Sequence, residues 1–152
     1  MKEGGLLMQQ KPMEEQEVRS ILDMEHIVCD RLSFIRDGFL GDGSDEVKFK
    51  TASKVEQDGE GRYRVILNVT ARREGEYEAS VQITGYCRID EACEIKDELL
   101  EKNAVAILFP FARAQLTLLT AQPETEPIVL PAFNINALLE KNRRRDAEAE
   151  KE

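Results

Sequence analysis

Apolar and polar residues alternate with a period of two over three stretches in the middle of the chain. The first is Glu46-Val47-Lys48-Phe49-Lys50-Thr51. In the second, Tyr63, Val65, Leu67, Val69 and Ala71 alternate with Arg64, Ile66, Asn68, Thr70 and Arg72. In the third, Tyr77, Ala79, Val81 and Ile83 alternate with Glu78, Ser80, Gln82 and Thr84, and the pattern reaches about Ile89. Such alternation predicts half-buried strands. Asp58-Gly59-Glu60-Gly61 and Glu74-Gly75 read as the turns between them. An earlier apolar stretch, from about Ile21 to Ile35, fits a strand or, over its first half, a helix; Val28-Cys29 and Ser33-Phe34-Ile35 favour the strand. Together the strands read as an antiparallel meander with one apolar and one wet face.

At Glu91 the period lengthens. Ala92 to Lys102 reads as a short helix, and Asn103 as a cap for the next one. On that helix Val105, Leu108, Phe109, Ala112, Leu116 and Leu119 fall on one stripe. Pro110 lies inside it and is expected to kink it. Gln122 to Ala132 holds three prolines and reads as an extended connector. Asn134 or Asn136 then caps a last helix that runs into charged residues. Strands followed by helices make an α+β fold: a four-stranded antiparallel sheet, a long kinked helix, a Pro-rich connector and a C-terminal helix.

The 152 residues make one domain, long enough to bury a real core. The expected division is an N-terminal arm over 1–17, disordered or loosely attached, a domain over 18–141, and a charged tail over 142–152. Of the net charge of −9, −7 is carried by the middle of the chain, over residues 18–141, and not by a detachable tail. It disfavours nucleic acid, because phosphate binding needs a basic face. The one basic run, Arg143-Arg144-Arg145, is followed by Asp146, Glu148 and Glu150 and reads as a solvated helix end. No apolar run reads as long enough for a membrane span, and Leu6-Leu7-Met8 is too short for a secretory leader. The expected location is the cytoplasm, without membrane insertion.

Candidate chemistry is sparse. Cys29, Cys87 and Cys93 form no C-x-x-C pair, so neither a disulfide framework nor a zinc site is expected. His26 is the only histidine and reads as a strand residue near an edge. No nucleotide-binding, nucleophile-elbow or metalloprotease motif appears. Asp37 to Glu46 is acidic and glycine-rich but lacks the EF-hand spacing, and reads as a mobile loop. Neither an enzyme activity, a cofactor nor a metal is expected.

One pair of segments goes further. Ile107-Leu108-Phe109-Pro110-Phe111-Ala112-Arg113, followed by Leu130-Pro131-Ala132-Phe133-Asn134-Ile135-Asn136-Ala137-Leu138, resembles the signature of the SecB export-chaperone family. Members commonly show ILFPYAR on the long helix, then a Pro-rich connector, then an L-P-P-hydrophobic-N-F-D-A-L stretch. Leu32-Ser33-Phe34, Glu46-Val47-Lys48-Phe49 with Thr51-Ala52-Ser53, and the segment from Arg62 to Thr70 resemble the family's early strands. The resemblance implies a non-enzymatic, ATP-independent holdase. It would form a homotetramer, a dimer of dimers, bind unfolded polypeptides in apolar grooves, and pass them to the export ATPase SecA. Some relatives instead protect antitoxins.

By that resemblance the client groove comprises Val47 and Phe49, then Tyr77, Val81 and Ile83, then Phe109 and Phe111. The long helix supplies the oligomer interface: Val105, Leu108, Ala112, Leu116 and Leu119. Alternating strand residues such as Val65, Leu67, Val69 and Val81 fit a core better than a groove, while Phe49, Tyr77 and Phe111 suit either. Leu116 and Leu119 fit helix–helix or subunit contacts better than client contacts. Pro110 and Arg113 read as structural, with Arg113 satisfying an acidic or carbonyl partner. The positions that carry acid for SecA in export members fall on Arg31, Ile35 and Ser80. SecA engagement therefore stays open beside a dedicated client such as an antitoxin. A second class of function is an adaptor that uses the same sheet to bind one folded partner.

Overall fold

A computed structural model describes residues 21–131 and 134–151; the expected arm over 1–17 lies outside them. The strands are β1 (Leu22–Arg36), β2 (Val47–Gln57), β3 (Arg62–Arg73) and β4 (Tyr77–Ile89). All pair antiparallel, in the order β1-β4-β3-β2. Only β2, β3 and β4 form a meander. β1 pairs with β4 at the far edge, so the segment from Asp37 to Glu46 must cross the end of the sheet, and the topology is a Greek key. Glu76, buried in the β3–β4 turn, pins this crossover. Its carbonyl accepts from the Asp37 N–H at 2.9 Å, and its carboxylate accepts from the Gly43 N–H at 3.2 Å and faces Arg73 at 3.6 Å.

The helix begins with a short α turn at Lys96–Glu98, passes through a π turn at Leu99–Asn103 and continues as α-helix over Ala104–Thr120. These segments form one helix, α1 (Lys96–Thr120). One sequence expectation changes here. Asn103 is helical and makes no capping bond, so the two expected helices are one. The helix also carries a π turn at Leu99–Asn103, and Pro110 lies inside its α-helical stretch. By length and composition α1 is also apolar enough to cross a membrane, contrary to the reading of the sequence. The helix instead packs one side on the sheet: Val105, Leu108, Ala112 and Leu116 have no exposed surface. Gly85 permits this approach, since a Cβ there would stand 2.9 Å from Leu108 Cδ2 and 2.6 Å from Met24 Sδ.

The connector after α1 folds back on it. The Thr120 hydroxyl accepts from the Ile128 N–H at 2.9 Å, the Thr117 hydroxyl donates to the Ile128 carbonyl at 2.7 Å, and Leu130 is buried. The second helix, α2, spans Ile135–Glu150. Its N-cap is Asn134, whose side chain accepts from the backbone of Asn136 and Ala137. Residues 142–150, expected as a tail, continue this helix, and Asn142 Nδ2 donates to the Thr51 carbonyl at 3.2 Å and hydroxyl at 3.0 Å. α2 thereby covers part of the β2 edge.

The start of α1 is fastened to the sheet by Glu91. Its carboxylate accepts from the Gly61 N–H at 2.7 Å, the Tyr63 hydroxyl at 2.8 Å and Lys96 Nζ at 2.9 Å. Lys96, the Gly61 N–H and Tyr63 hold this carboxyl down at about 2. Gly61 has φ of 69°, and a Cβ there would meet the Ile89 carbonyl at 2.9 Å, so the turn requires glycine.

Candidate functional site

Cross-strand register fixes which side chains share the helix-facing side of the sheet. Val65, Leu67, Val69 and Ala71 of β3 stand opposite Gly85, Ile83, Val81 and Ala79 of β4. The same row extends outward to Val47, Phe49, Thr51, Ser53 and Val55 on β2, and to Cys29, Leu32 and Phe34 on β1. α1 lies over the two central strands and buries their residues completely. The edge strands are covered less. Phe49, opposite Ala71, remains 45% exposed, and Leu32, opposite Val81, remains 50% exposed. Two apolar gutters therefore flank α1, one along β2 and one along β1.

This geometry divides the expected groove. Val47 is half-buried and Phe49 is open, on the β2 gutter. Val81 and Ile83 lie under α1 with almost no surface, and Phe109 is buried against the core; none of the three is open to a client. Tyr77 is also buried. Its ring stacks on Phe34 at 5.2 Å, with the guanidinium groups of Arg36 and Arg73 within 6 Å, and burial pushes its hydroxyl pKa up. Phe111 is 48% exposed but is turned away from the sheet, so it does not share a surface with Phe49.

Most of the residues expected at an oligomer interface lie inward in the single chain. Val105, Leu108, Ala112 and Leu116 form the sheet-facing stripe of α1 and belong to the core of the single chain; Leu119 is half-buried at its margin. A second stripe was missed. Ile107, Phe111 and Leu118, at i, i+4 and i+11, expose 42%, 48% and 67%. On a 3.6-residue helix these positions fall on one side. A helix apolar on both sides is the signal the sequence offered for it.

The two sheet edges also differ. β2 is partly closed by Asn142. On β1, Val28, Leu32 and Ile35 are exposed by 39%, 50% and 61%, and no described element covers its free edge. Just beyond, the crossover carries Phe39 and Leu40, exposed by 96% and 62%. Arg36 bonds the Thr125 hydroxyl, linking the end of β1 to the connector.

Arg31 and Ile35 are exposed on the wet side of the sheet, with Ser80 half-buried there. The neighbouring acids are already engaged. Asp30 accepts from Thr84 and from Gln82 at 3.0 Å, and Glu78 pairs with Arg72 at 3.1 Å. Arg113 has no acidic or carbonyl partner among the described residues, contrary to expectation. His26 is exposed on β1, at an edge as expected. The three cysteines are free, and burial pushes the Cys87 thiol up to about 11, which leaves it a poor nucleophile. Among the described residues no group of three or more His, Cys, Asp or Glu is placed to hold a metal.

No protein-family model matches the chain. An uncharacterized protein of Methanocaldococcus jannaschii is 27% identical over 99 residues, 61% of this chain and 64% of that protein, so the match spans less than two-thirds of the relative's length. Among solved structures, the SecB-like chaperone Rv1957 of Mycobacterium tuberculosis, in complex with a ChAD peptide from the antitoxin HigA1, superposes with a TM-score of 0.62 at 12% identity, over 78% of this chain and 95% of that one. A protein of unknown function from Streptococcus agalactiae gives a TM-score of 0.43 at 13% identity, too distant to carry an argument. The four-stranded antiparallel sheet, the long helix and the C-terminal helix make this a SecB-like fold.

Proposed function

We propose that the protein is an ATP-independent holdase that keeps a polypeptide client unfolded. The observation that carries the reading is the incomplete cover of the sheet, which leaves Phe49 and Leu32 open on either side of α1. Holding an extended chain requires many modest apolar contacts. At about 25 cal/mol per Å² of apolar area, they must together offset the ordering of a flexible chain. Gutters lined by Val47 and Phe49, and by Cys29, Leu32 and Phe34, suit that task. The open β1 edge adds backbone hydrogen bonds for an extended segment. Nothing in this mechanism calls for a nucleotide, metal or cofactor.

Self-association completes the reading. The stripe of Ile107, Phe111 and Leu118 is suited to pack against the same helix of another copy, as in a dimer of dimers. A dedicated client is favoured over general export through SecA, because Arg31, Ile35 and Ser80 carry no acid. That Rv1957 was solved with an antitoxin peptide supports the same preference. The three free cysteines suit a reducing cytoplasm. The missing acid also favours a second reading, an adaptor that grips one folded partner. A pull-down separates the two: one stoichiometric folded protein favours the adaptor, and a client recovered only when unfolded favours the holdase.

A further inference from the structure

The wet face of the sheet has a charge opposite to that of the whole chain. Along β2 and β3 it carries Lys48, Lys50, Lys54, Arg62, Arg64 and Arg72, with Glu56 the only acid in the two strands. The alternation that turns Val65, Leu67 and Val69 inward turns these residues outward. Glu56 binds Lys54 at 2.8 Å and also Arg64, and Arg72 is shared by Glu74 and Glu78 at 3.1 Å. Lys48, Lys50 and Arg62 are exposed and have no carboxylate partner among the described residues. Lys48 stands directly opposite Arg72, and Arg62 directly opposite Arg88. Like charges across a strand pair are unfavourable in the free protein. A chain with a net charge of −9 therefore concentrates unpaired cations on one flat face.

We propose that the wet face of β2 and β3 docks an acidic segment of a protein partner, with Lys48 and Lys50 as its principal charge contacts. Lys48 and Lys50 lie two residues apart on one strand face, about 7 Å along it, which is the side-chain repeat of an extended acidic peptide. Nucleic acid fits less well. The net acidity that disfavours it is a sum over the whole chain, whereas this face is basic. But the rings on this face among the described residues are Tyr86, half-buried, and His26 opposite it, both on the strands beyond β2 and β3 and too few to stack successive bases. A long polyanion would also extend into the acidic field of the rest of the molecule. The site is on the opposite side of the sheet from the gutters and does not rest on the holdase reading.

Lysine on an edge strand also deters edge-to-edge aggregation. A charge of either sign gives that protection, whereas docking requires the positive sign. The test is fluorescence anisotropy of a labelled peptide of alternating Glu and Ser, and of labelled single-stranded RNA, titrated with the full chain at low and at physiological salt. The expected result is saturable peptide binding that weakens steeply with salt. It should fall at least about tenfold in Lys48→Glu/Lys50→Glu, and hold in Arg143→Glu/Arg144→Glu, which removes equal charge from α2. Thermal melts and Lys48→Gln/Lys50→Gln check that loss of binding is not loss of fold. No binding at low salt, equal loss in both charge-reversal variants, or tighter binding of the RNA than of the peptide would each overturn the proposal. Client holding by the same Lys48→Glu/Lys50→Glu protein should be unchanged, which separates this face from the gutters.

Discussion

Phe111 and Leu118, seven residues apart on α1, stand one above the other on the side of the helix turned away from the sheet, exposing 48% and 67% of their surface. Leu116, between them, has none exposed. The helix thus carries two apolar stripes, one spent on the core and one left for a partner. Phe111→Asp/Leu118→Asp should lower the mass measured in solution while leaving the circular dichroism spectrum intact. Leu116→Ala should do the reverse: it should cost about 2–5 kcal/mol of stability and leave the association state unchanged in the folded population. Equal effects of both changes on mass would show that the stripes are not separate.

Phe49 is the open aromatic of the β2 gutter, so its removal should weaken client binding more than folding. Phe49→Ala should lose most of the suppression of client aggregation, with a small shift in Tm. Val81→Ala, under α1, should shift Tm by several degrees while binding per folded molecule is kept. Melting curves run beside the aggregation assay separate the two.

Glu91 gives the fold an acid-sensitive fastening. Its carboxyl is held at about 2 against an ordinary value of 4.5, chiefly by Lys96 and then by the Gly61 N–H and Tyr63. A lowered carboxyl pKa stabilises the folded state fully above the unfolded value, and that stabilisation fades as pH falls from about 4.5 toward about 2. Lys96, raised by the same pair, contributes in the opposite sense, losing its share only at strongly alkaline pH. Glu91→Gln should therefore be less stable than the parent at neutral pH, and the two should converge as pH approaches 2. Parallel acid titrations of the two proteins would refute this role.

Glu76 ties the crossover between β1 and β2 to the β3–β4 turn. Glu76→Ala removes the bonds to Gly43 and Arg73 and should cost about 2 kcal/mol. Protection from hydrogen exchange should fall first at Gly43, the amide that loses its acceptor, and persist in the central strands. Uniform loss of protection would mean that Glu76 supports the whole sheet rather than the crossover.

Much of this fold was legible in the sequence because its strands obey a period of two and its turns carry Gly, Asp and Glu. The strand order was not. Nothing local in Leu22–Arg36 says that it pairs with β4 rather than β2, since that choice rests on cross-strand neighbours far along the chain and on a crossover held at Glu76. The site was legible only in part, for a related reason. Leu108 and Phe111 are equally apolar, as are Val81 and Val47, and periodicity groups such residues without saying whether a helix lies on top of them. The basic face was concealed by summation, because a net charge erases the sign of any one surface.

The most direct test of the holdase reading is light scattering of an aggregating unfolded client with and without this protein, with the protein's mass measured in the same run. The holdase account predicts suppression at modest molar excess, without ATP, by a multimeric species. Unchanged aggregation at several-fold excess would contradict it and would leave the gutters on either side of α1 without the use proposed for them.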